Sequence, residues 1–142
     1  MALEASRNNI TIRESWQDPL PRVAVSRRIF EVIFETILTN AVRYTLSGGE
    51  ITVAASRGEG NNTLLISVSD TGIGIPQEEQ PIVFTRPFQG RNGIKHGTYN
   101  GVSGYGLGLF IIKPLAQRIQ GDIWFTSREG EGSTFFISLP LA

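Results

Sequence analysis

Alternation of apolar and polar residues, repeated in five short stretches, is the feature that most restricts how this chain can fold. A period of two places every second side chain on the same face of a β-strand. Four of the stretches form two pairs, each joined by a glycine-containing turn, which predicts two β-hairpins. The five predicted strands cover residues 9–14, 50–57, 63–69, 122–127 and 133–140.

Two segments between these strands have the apolar spacing of α-helices. Residues 26–45 form the clearer one, with Ser26 as N-cap and glycines at 48–49 after its end. A second helix is predicted for residues 107–119, where Pro114 is expected to cause a kink or a 3₁₀ turn. The order of elements predicts an α+β fold, a two-layer sandwich in which helices cover a mixed, mostly antiparallel sheet.

Composition narrows the class of function. The length of 142 residues suits one domain with its own core. Because the chain has no cysteine and His96 is its only histidine, it offers neither a thiolate metal site nor a Ser-His-Asp triad. A formal net charge of zero argues against a nucleic acid partner, and no apolar run is long enough for membrane insertion. We therefore expect a cytoplasmic domain, which leaves open whether its parent protein is membrane-anchored.

A polar stripe follows one side of the first predicted helix. Thr36, Asn40, Arg43 and Tyr44 are separated by four, three and one positions, which puts them on one side of a helix. One interpretation is a solvated helix surface. The other is a Mg²⁺ and phosphate face, because an amide oxygen can bind a hard cation and an arginine can pair with anionic oxygen. The stripe alone leaves both open.

The segment DTGIGIP, residues 70–76, ends an apolar strand on an acid. The Asp70 carboxylate can accept hydrogen bonds from the exocyclic amine of a base. Gly72 and Gly74 permit positive φ and leave no Cβ between the backbone and a flat ring. A plain turn is the alternative interpretation of the same residues.

A basic, glycine-rich segment leads into the second helix. Residues 84–104 contain no acid and carry Arg86, Arg91, Lys95 and His96, which predicts a loop of functional importance. The following GYGLGLFI would present free backbone N–H groups and the positive end of the helix dipole to phosphate. The alternative is a hinge whose glycines allow close helix packing. The side chains of Arg86, Arg91 and Lys95 are equally consistent with contact to phosphate and with exposure to solvent.

Together and in this order, these segments resemble the catalytic ATP-binding domain of sensor histidine kinases. That family is a branch of the GHKL superfamily, with the Bergerat ATP-binding fold, which also includes DNA gyrase, the heat-shock chaperone ATPase and mismatch-repair ATPases. The resemblance covers about residues 9–140 and implies one catalytic domain over 1–142 with an ATP lid at about 86–103. The matching N, G1, F, G2 and terminal motifs are LTNAVRYT (38–45), DTGIGIP (70–76), VFTRPF (83–88), GYGLGL (104–109) and GEGSTFFISLP (130–140).

The resemblance also implies roles for individual residues. Asn40 would hold Mg²⁺, and Arg43 and Tyr44 would lie near the phosphates of ATP. Asp70 would bind the adenine amino group. The residues implied beside the base are Gly72, Gly74, Ile75 and Thr134. Those implied around the phosphates are Gly104, Tyr105, Gly106, Leu107, Gly108 and Leu109.

Three departures from the family pattern bear on activity. Thr36 stands where the family usually has Asn or Glu, so no catalytic base is assigned. Phe84 and Phe88 are one residue further apart than the usual pair that anchors the lid. Pro114 interrupts the helix whose N-terminus is expected to bind phosphate.

The implied function is ATP-dependent histidine kinase activity in two-component signalling. The domain would bind Mg·ATP and donate the γ-phosphoryl group to a histidine on a separate dimerisation domain, with a response regulator downstream. We do not expect it to autophosphorylate alone, because His96 lies in the lid. The alternatives are a nucleotide-gated interaction module with degenerate kinase activity, and a protein-serine kinase of the anti-sigma-factor type or another ATPase of the superfamily.

Overall fold

Five strands, two α-helices and one 3₁₀ helix make up the regular structure of the described part of the chain. The computed structural model describes residues 9–16, 19–58, 60, 62–85 and 107–142. A 3₁₀ helix at Gln77–Ile82, which the sequence did not predict, follows the DTGIGIP segment. In chain order the other elements are β1 (Thr11–Trp16), α1 (Arg27–Tyr44), β2 (Glu50–Arg57), β3 (Thr63–Asp70), α2 (Leu107–Arg118), β4 (Asp122–Arg128) and β5 (Gly132–Pro140).

The strands form one sheet in the order β1-β2-β3-β5-β4. Strand β1 runs parallel to β2, and all other neighbours are antiparallel. The two predicted hairpins are therefore present, and β5 lies between β3 and β4. This order brings the end of β3, at Asp70, beside the start of β5, at Ser133. The predicted mixed, mostly antiparallel sheet is confirmed.

The core lies between the helices and one face of the sheet. Alternate residues of β3 and β5 are buried on that face, including Ile66, Val68, Phe135 and Ile137. On the opposite face Trp124 stacks on Phe136 and keeps 39% of its surface exposed. The sheet therefore has one face under helices and one face open to solvent, as the period-two pattern predicts.

Helix α1 has the boundaries and the buried face that its apolar spacing predicts. The Ser26 hydroxyl caps it by accepting a hydrogen bond from the Ile29 backbone N–H at 3.3 Å. Its buried residues are Ile33, Ile37, Ala41 and Val42. The last turn is closed by Thr45, whose hydroxyl donates to the Ala41 carbonyl at 2.6 Å. Because the apolar stripe is fixed against the sheet, the polar stripe is held to one side of it.

Helix α2 is α-helical through Pro114, so the expected 3₁₀ turn does not occur. The proline is exposed, which lets the ring project into solvent. Lys113 ties the helix to β4 by an ion pair with Asp122 at 2.9 Å, and its ammonium lies over the Phe84 ring. Among the residues that the structure describes, no helix is both long and apolar enough to cross a membrane.

Candidate functional site

Asp70 ends β3 with its carboxylate on the helix-covered face of the sheet. Its Oδ1 accepts hydrogen bonds from the backbone N–H of Gly72 at 2.9 Å and of Ser133 at 3.3 Å. Burial raises the pKa of the Asp70 carboxyl to about 6, although these two hydrogen bonds lower it. Both backbone donors lie on Oδ1, which leaves the lone pairs of Oδ2 for a donor outside the protein backbone.

The glycines of DTGIGIP bring this loop close to other backbone of the same chain. A Cβ on Gly72 would lie 2.2 Å from the carbonyl oxygen of Tyr44, and a Cβ on Gly74 would lie 2.2 Å from that of Arg128. Gly74 also has a φ of 69°, so it uses the positive φ that glycine permits, whereas Gly72 does not. The structure thus gives the missing Cβ atoms a packing role, in addition to the predicted space for a flat ring.

The same loop joins Asp70 to the end of helix α1. The Ile73 backbone N–H donates to the Tyr44 carbonyl at 3.1 Å, which satisfies one of the last carbonyls of the helix. The contact fixes the Asp70 loop against the helix turn that carries Arg43 and Tyr44. Two segments that are far apart in the chain are therefore in direct contact.

Arg43 and Asn40 occupy the last two turns of α1 and are half-buried. The Arg43 guanidinium lies 5.5 Å from the centre of the Tyr44 ring, and its Nε is buried with no hydrogen-bond partner among the described residues. A buried guanidinium N–H without an acceptor is costly. An anionic oxygen at this position would remove that cost.

Thr36, one turn before Asn40, serves helix packing. Its hydroxyl donates to the Val32 carbonyl at 2.7 Å, and its methyl group fills the space beside Gly108 of α2. A hydroxyl already bound to its own helix has no free proton for a ligand and is a poor base. The structure therefore supports the expectation that position 36 carries no catalytic base.

The register of β3 with β5 turns the side chain of Thr134 away from Asp70, although Thr134 also lines the polar recess at the Asp70 end of the sheet, so its implied contact with the base stays a prediction. Thr134 is paired with Ser69, and their hydroxyls bond to each other at 2.8 Å on the face opposite Asp70. Ser133 is paired with Asp70 and shares its face. Because neighbouring residues of a strand point to opposite faces, the hydroxyl beside Asp70 belongs to Ser133.

The predicted phosphate segment is described only in part. Leu107 and Gly108 form the first turn of α2, and Gly108 packs on Thr36. The Leu109 side chain is buried in the core, so a role of Leu109 at the phosphates would fall to its backbone and stays a prediction. Gly104, Tyr105, Gly106 and the predicted lid lie outside the described residues. Phe88, the partner of Phe84 in the unusual lid anchor, lies outside them as well.

Two cavities differ sharply in character. A polar recess of about 360 Å³ lies at the Asp70 end of the sheet and is lined by residues including Asp70, Ser127, Ser133 and Thr134. It contains no residue of α1, so it accounts for the base end of the expected site alone. An almost wholly apolar groove of about 510 Å³ lies toward the opposite end of β3, at Leu64 and Ile66, and Arg27 is the one charged residue among the described residues that line it.

Comparison with known proteins places the chain and its fold in one family. A family model described as histidine kinase-, DNA gyrase B- and HSP90-like ATPase matches residues 24–142. The chain belongs to this ATPase family. Its predicted resemblance to sensor histidine kinases is confirmed by the relatives and structures below.

Curated relatives of this ATPase domain are sensory kinases several times its length. Adaptive-response sensory kinase SasA of Synechocystis sp. is 32% identical over 136 residues, which cover 96% of this chain and 34% of SasA. Sensor histidine kinase WalK of Bacillus subtilis is 37% identical over 108 residues, which cover 76% of this chain and 17% of WalK. The chain thus corresponds to a minor part of each relative.

Solved structures confirm the predicted fold. Full-length ShkA in complex with AMPPNP matches with a TM-score of 0.82 at 26% identity, covering 100% of this chain and 28% of ShkA. Histidine kinase ThkA in complex with response regulator protein TrrA matches with a TM-score of 0.76 at 22% identity, covering 99% of this chain and 37% of ThkA. The five-stranded α+β sandwich is the fold of histidine kinase catalytic domains.

Two residues of this ATPase domain that sequence reasoning missed hold the Asp70 loop on β4. The Ser127 hydroxyl accepts a hydrogen bond from the Ile75 backbone N–H at 2.8 Å. The Gln80 side-chain amide donates to the carbonyls of Ile75 at 2.9 Å and of Ser127 at 3.1 Å. No local signal marks either residue, because their partners are 5 to 52 positions away in the chain.

Proposed function

We propose that this domain binds Mg·ATP and donates the γ-phosphoryl group to a histidine on a separate dimerisation domain. The observation that carries the proposal is the junction of the Asp70 loop with the end of α1, through Ile73 and Tyr44. It combines a half-buried carboxylate with a guanidinium whose buried Nε has no hydrogen-bond partner among the described residues. The first suits an exocyclic amine, and the second suits a phosphate oxygen.

Asp70 is the residue that selects adenine in this proposal. Its Oδ1 is held by two backbone N–H groups, and Oδ2 accepts a hydrogen bond from the adenine amino group. Gly72, Gly74 and Ile75 border the base. The AMPPNP complex of ShkA, whose fold this chain shares, supports an adenine nucleotide as the ligand.

Asn40 and Arg43 form the phosphate end of the site. In the part of the chain that the structure describes, no cluster of three or more His, Cys, Asp or Glu side chains is placed to hold a metal ion. The amide oxygen of Asn40 fits a Mg²⁺ that takes its remaining ligands from phosphates and water. When bound, the ion would neutralise charge on the phosphates. Arg43 and Tyr44 position the phosphates, and the backbone of residues 104–108 remains a predicted part of this end.

The partner in the reaction is a histidine-containing dimerisation domain of the same parent protein, acting on a response regulator. The relatives SasA and WalK are sensory kinases, and ThkA was solved with the response regulator TrrA, which supports this assignment. The whole domain acts as one unit, at a cytoplasmic position in the parent protein. The acceptor histidine has to be unprotonated to attack, and the partner domain has to keep it so.

A second function, a nucleotide-gated module with little kinase activity, is favoured by one observation. Thr36 uses its hydroxyl within its own helix, so position 36 supplies neither a carboxylate nor an amide to the reaction. Nucleotide binding would then shift a conformational equilibrium that a partner domain senses. In this second function, Thr36 lowers the rate of phosphoryl transfer and does not affect nucleotide binding.

Transfer from γ-labelled ATP in the presence of the cognate dimerisation domain tests these functions. Acid-labile label on that domain supports the histidine kinase, and acid-stable label supports a serine kinase. Tight nucleotide binding without label supports the gated module. Absence of ATP binding by the chain would contradict the kinase and the module alike.

Calorimetry of Asp70→Asn tests the base assignment. The Asn oxygen can replace Oδ1 toward Gly72 and Ser133, which turns the amide NH₂ toward the adenine amine. We expect a loss of roughly ten- to a hundredfold in ATP affinity, the usual effect of a lost charge-assisted hydrogen bond. Asp122→Asn, at an exposed acid on β4, is the matched control and keeps wild-type affinity. Equal affinities of the two variants would remove Asp70 from the site.

A further inference from the structure

Ser127 lies on β4, one strand away from Asp70's partner strand β5, and its hydroxyl has three polar neighbours. It accepts a hydrogen bond from the Ile75 N–H at 2.8 Å and donates to the Gly132 carbonyl at 3.1 Å. The third neighbour is the hydroxyl of Ser133 at 2.7 Å. Ser127 and Ser133 are paired in the register of β4 with β5, so both side chains are on the face of Asp70.

The valence of one hydroxyl decides the direction of the bond between the two serines. A serine hydroxyl has one proton and two lone pairs. The Gly132 carbonyl takes the proton of Ser127, and the Ile75 N–H takes one lone pair. The remaining lone pair of Ser127 faces Ser133, so Ser133 has to supply the proton of the 2.7 Å bond. The Ser133 hydroxyl then has only lone pairs left for any other neighbour.

We infer that Ser127 is a positioning residue that fixes the Ser133 hydroxyl as a hydrogen-bond acceptor beside Asp70, and so favours a purine with a 6-amino group over one with a 6-oxo group. The site then presents two acceptors, the Asp70 carboxylate and the Ser133 hydroxyl. An amino group has two N–H donors and can give one to each acceptor directly. A carbonyl oxygen at the same place is itself an acceptor, so its lone pairs would face those of Asp70 and Ser133 with no proton between them, which is unfavourable.

The inference rests on the proposed function, because it assumes that the ligand of Asp70 is a purine nucleotide. It adds a residue that does not touch the base and acts through Ser133. Replacing Ser127 with alanine removes the acceptor for the Ser133 proton. The Ser133 hydroxyl can then rotate and donate to a 6-oxo group, which relaxes the selection.

The test is the ratio of affinities for ATP and ITP, measured by competition on the 142-residue chain. ITP differs from ATP in having a 6-oxo group and a proton on N1. We expect Ser127→Ala to reduce the preference for ATP by roughly 3- to 10-fold, the range of a neutral hydrogen bond. Since both nucleotides compete for the same folded molecules, partial unfolding of the variant does not change the ratio. If Ser127 had a purely structural role, Ser127→Ala would lower the affinities for ATP and ITP equally and leave their ratio at the wild-type value.

Two further variants show whether the effect passes through Ser133. Ser133→Ala is expected to reduce the ratio as well, and adding Ser127→Ala to it should produce no further reduction. Ser69→Ala is the matched control, because Ser69 forms the neighbouring hydroxyl pair with Thr134 at 2.8 Å on the opposite face. Its ratio should equal that of the wild type.

The outcomes separate this inference from the proposed function. Wild-type chain that binds neither nucleotide, or ATP affinity that survives Asp70→Asn, overturns both. ATP binding that depends on Asp70, together with an unchanged ratio in Ser127→Ala, overturns the role of Ser127 alone. An equal reduction in Ser69→Ala would also overturn it, because the effect would then not depend on the face of the sheet.

Discussion

A Cβ atom on Gly108 would lie 2.4 Å from Cγ2 of Thr36, so the first turn of helix α2 packs directly on helix α1. The other atoms near that position, also in Thr36, are 3.8 and 4.0 Å away, which is ordinary contact. Thr36 is therefore complementary in shape to Gly108. The contact gives Thr36 a packing role at the junction of the two helices.

This complementarity predicts that the cost of Gly108→Ala depends on the residue at position 36. In the wild type the added methyl group meets the stiff Thr36 side chain, and we expect a loss of about 1–3 kcal/mol in the free energy of unfolding. In a Thr36→Ser background Cγ2 is absent while a hydroxyl can still bind the Val32 carbonyl, so the loss should be much smaller. Urea unfolding of the four proteins of this double-mutant cycle measures the difference. Equal costs in the two backgrounds would refute the contact.

Asp70 makes the stability of the free domain depend on pH. Since burial raises the pKa of its carboxyl from 3.8 to about 6, the folded state binds a proton more tightly than the unfolded state. The contribution of Asp70 is therefore fully favourable below about pH 3.8 and is lost as the pH rises to about 6. Asp70→Asn should be more stable than the wild type well above pH 6, by about 3 kcal/mol, and nearly equally stable near pH 4. Thermal unfolding between pH 4 and 8 measures this.

Asp122→Asn is the control for that pH dependence, because the pKa shift of Asp122 has the opposite sign. Desolvation opposes ionisation of Asp122, but the hydrogen bonds from Lys113 and the Ile123 N–H, with the Lys113 charge, lower its pKa overall. Asp122→Asn should therefore lose stability relative to the wild type at neutral pH and approach it in acid. If both variants shift in the same direction with pH, the assignment to Asp70 is wrong.

Gly74 and Gly130 both have positive φ, yet alanine should affect them differently. Gly74 has a φ of 69° and Gly130 a φ of 85°, so each substitution carries a backbone cost of about 1–2 kcal/mol. A Cβ on Gly74 would also lie 2.2 Å from the Arg128 carbonyl, whereas nothing is within 4 Å of one on Gly130. We expect Gly74→Ala to cost a further 1–3 kcal/mol or so in unfolding free energy and to reduce ATP affinity. Identical results for both variants would show that only φ matters.

Helix α2 exposes Phe110 and Ile111 next to the predicted phosphate end, with 38% and 50% of their surfaces accessible. A partner domain that reaches the γ-phosphate would contact this turn. Serine at either position should therefore slow transfer to the dimerisation domain by roughly tenfold, an ordinary effect for an apolar interface residue. ATP affinity should not change. The control is Leu20→Ser, because Leu20 is 41% exposed and lines the apolar groove toward the end of β3 opposite Asp70. Unchanged transfer in both α2 variants would place the partner elsewhere.

Much of the fold follows from local patterns. The alternation of apolar residues predicts β2, β3, β4 and β5 to within a residue or two, because burial of one sheet face imposes that period. The spacing of apolar residues predicts α1 and its N-cap for the analogous reason. The 3₁₀ helix at Gln77–Ile82 was missed, since it follows DTGIGIP without an apolar period of its own.

The sequence by itself determined the elements, the acid that ends β3 and the loop glycines that follow it. Tertiary structure decided which residues meet. Strand register places Ser133, and not Thr134, beside Asp70. Helix packing makes Thr36 a partner of Gly108, and strand order brings Ser127 within reach of both Ile75 and Ser133. The physical reason is that periodicity records whether a side chain is buried, whereas its partners depend on how segments far apart in the chain align, and one step of register exchanges the faces of a strand.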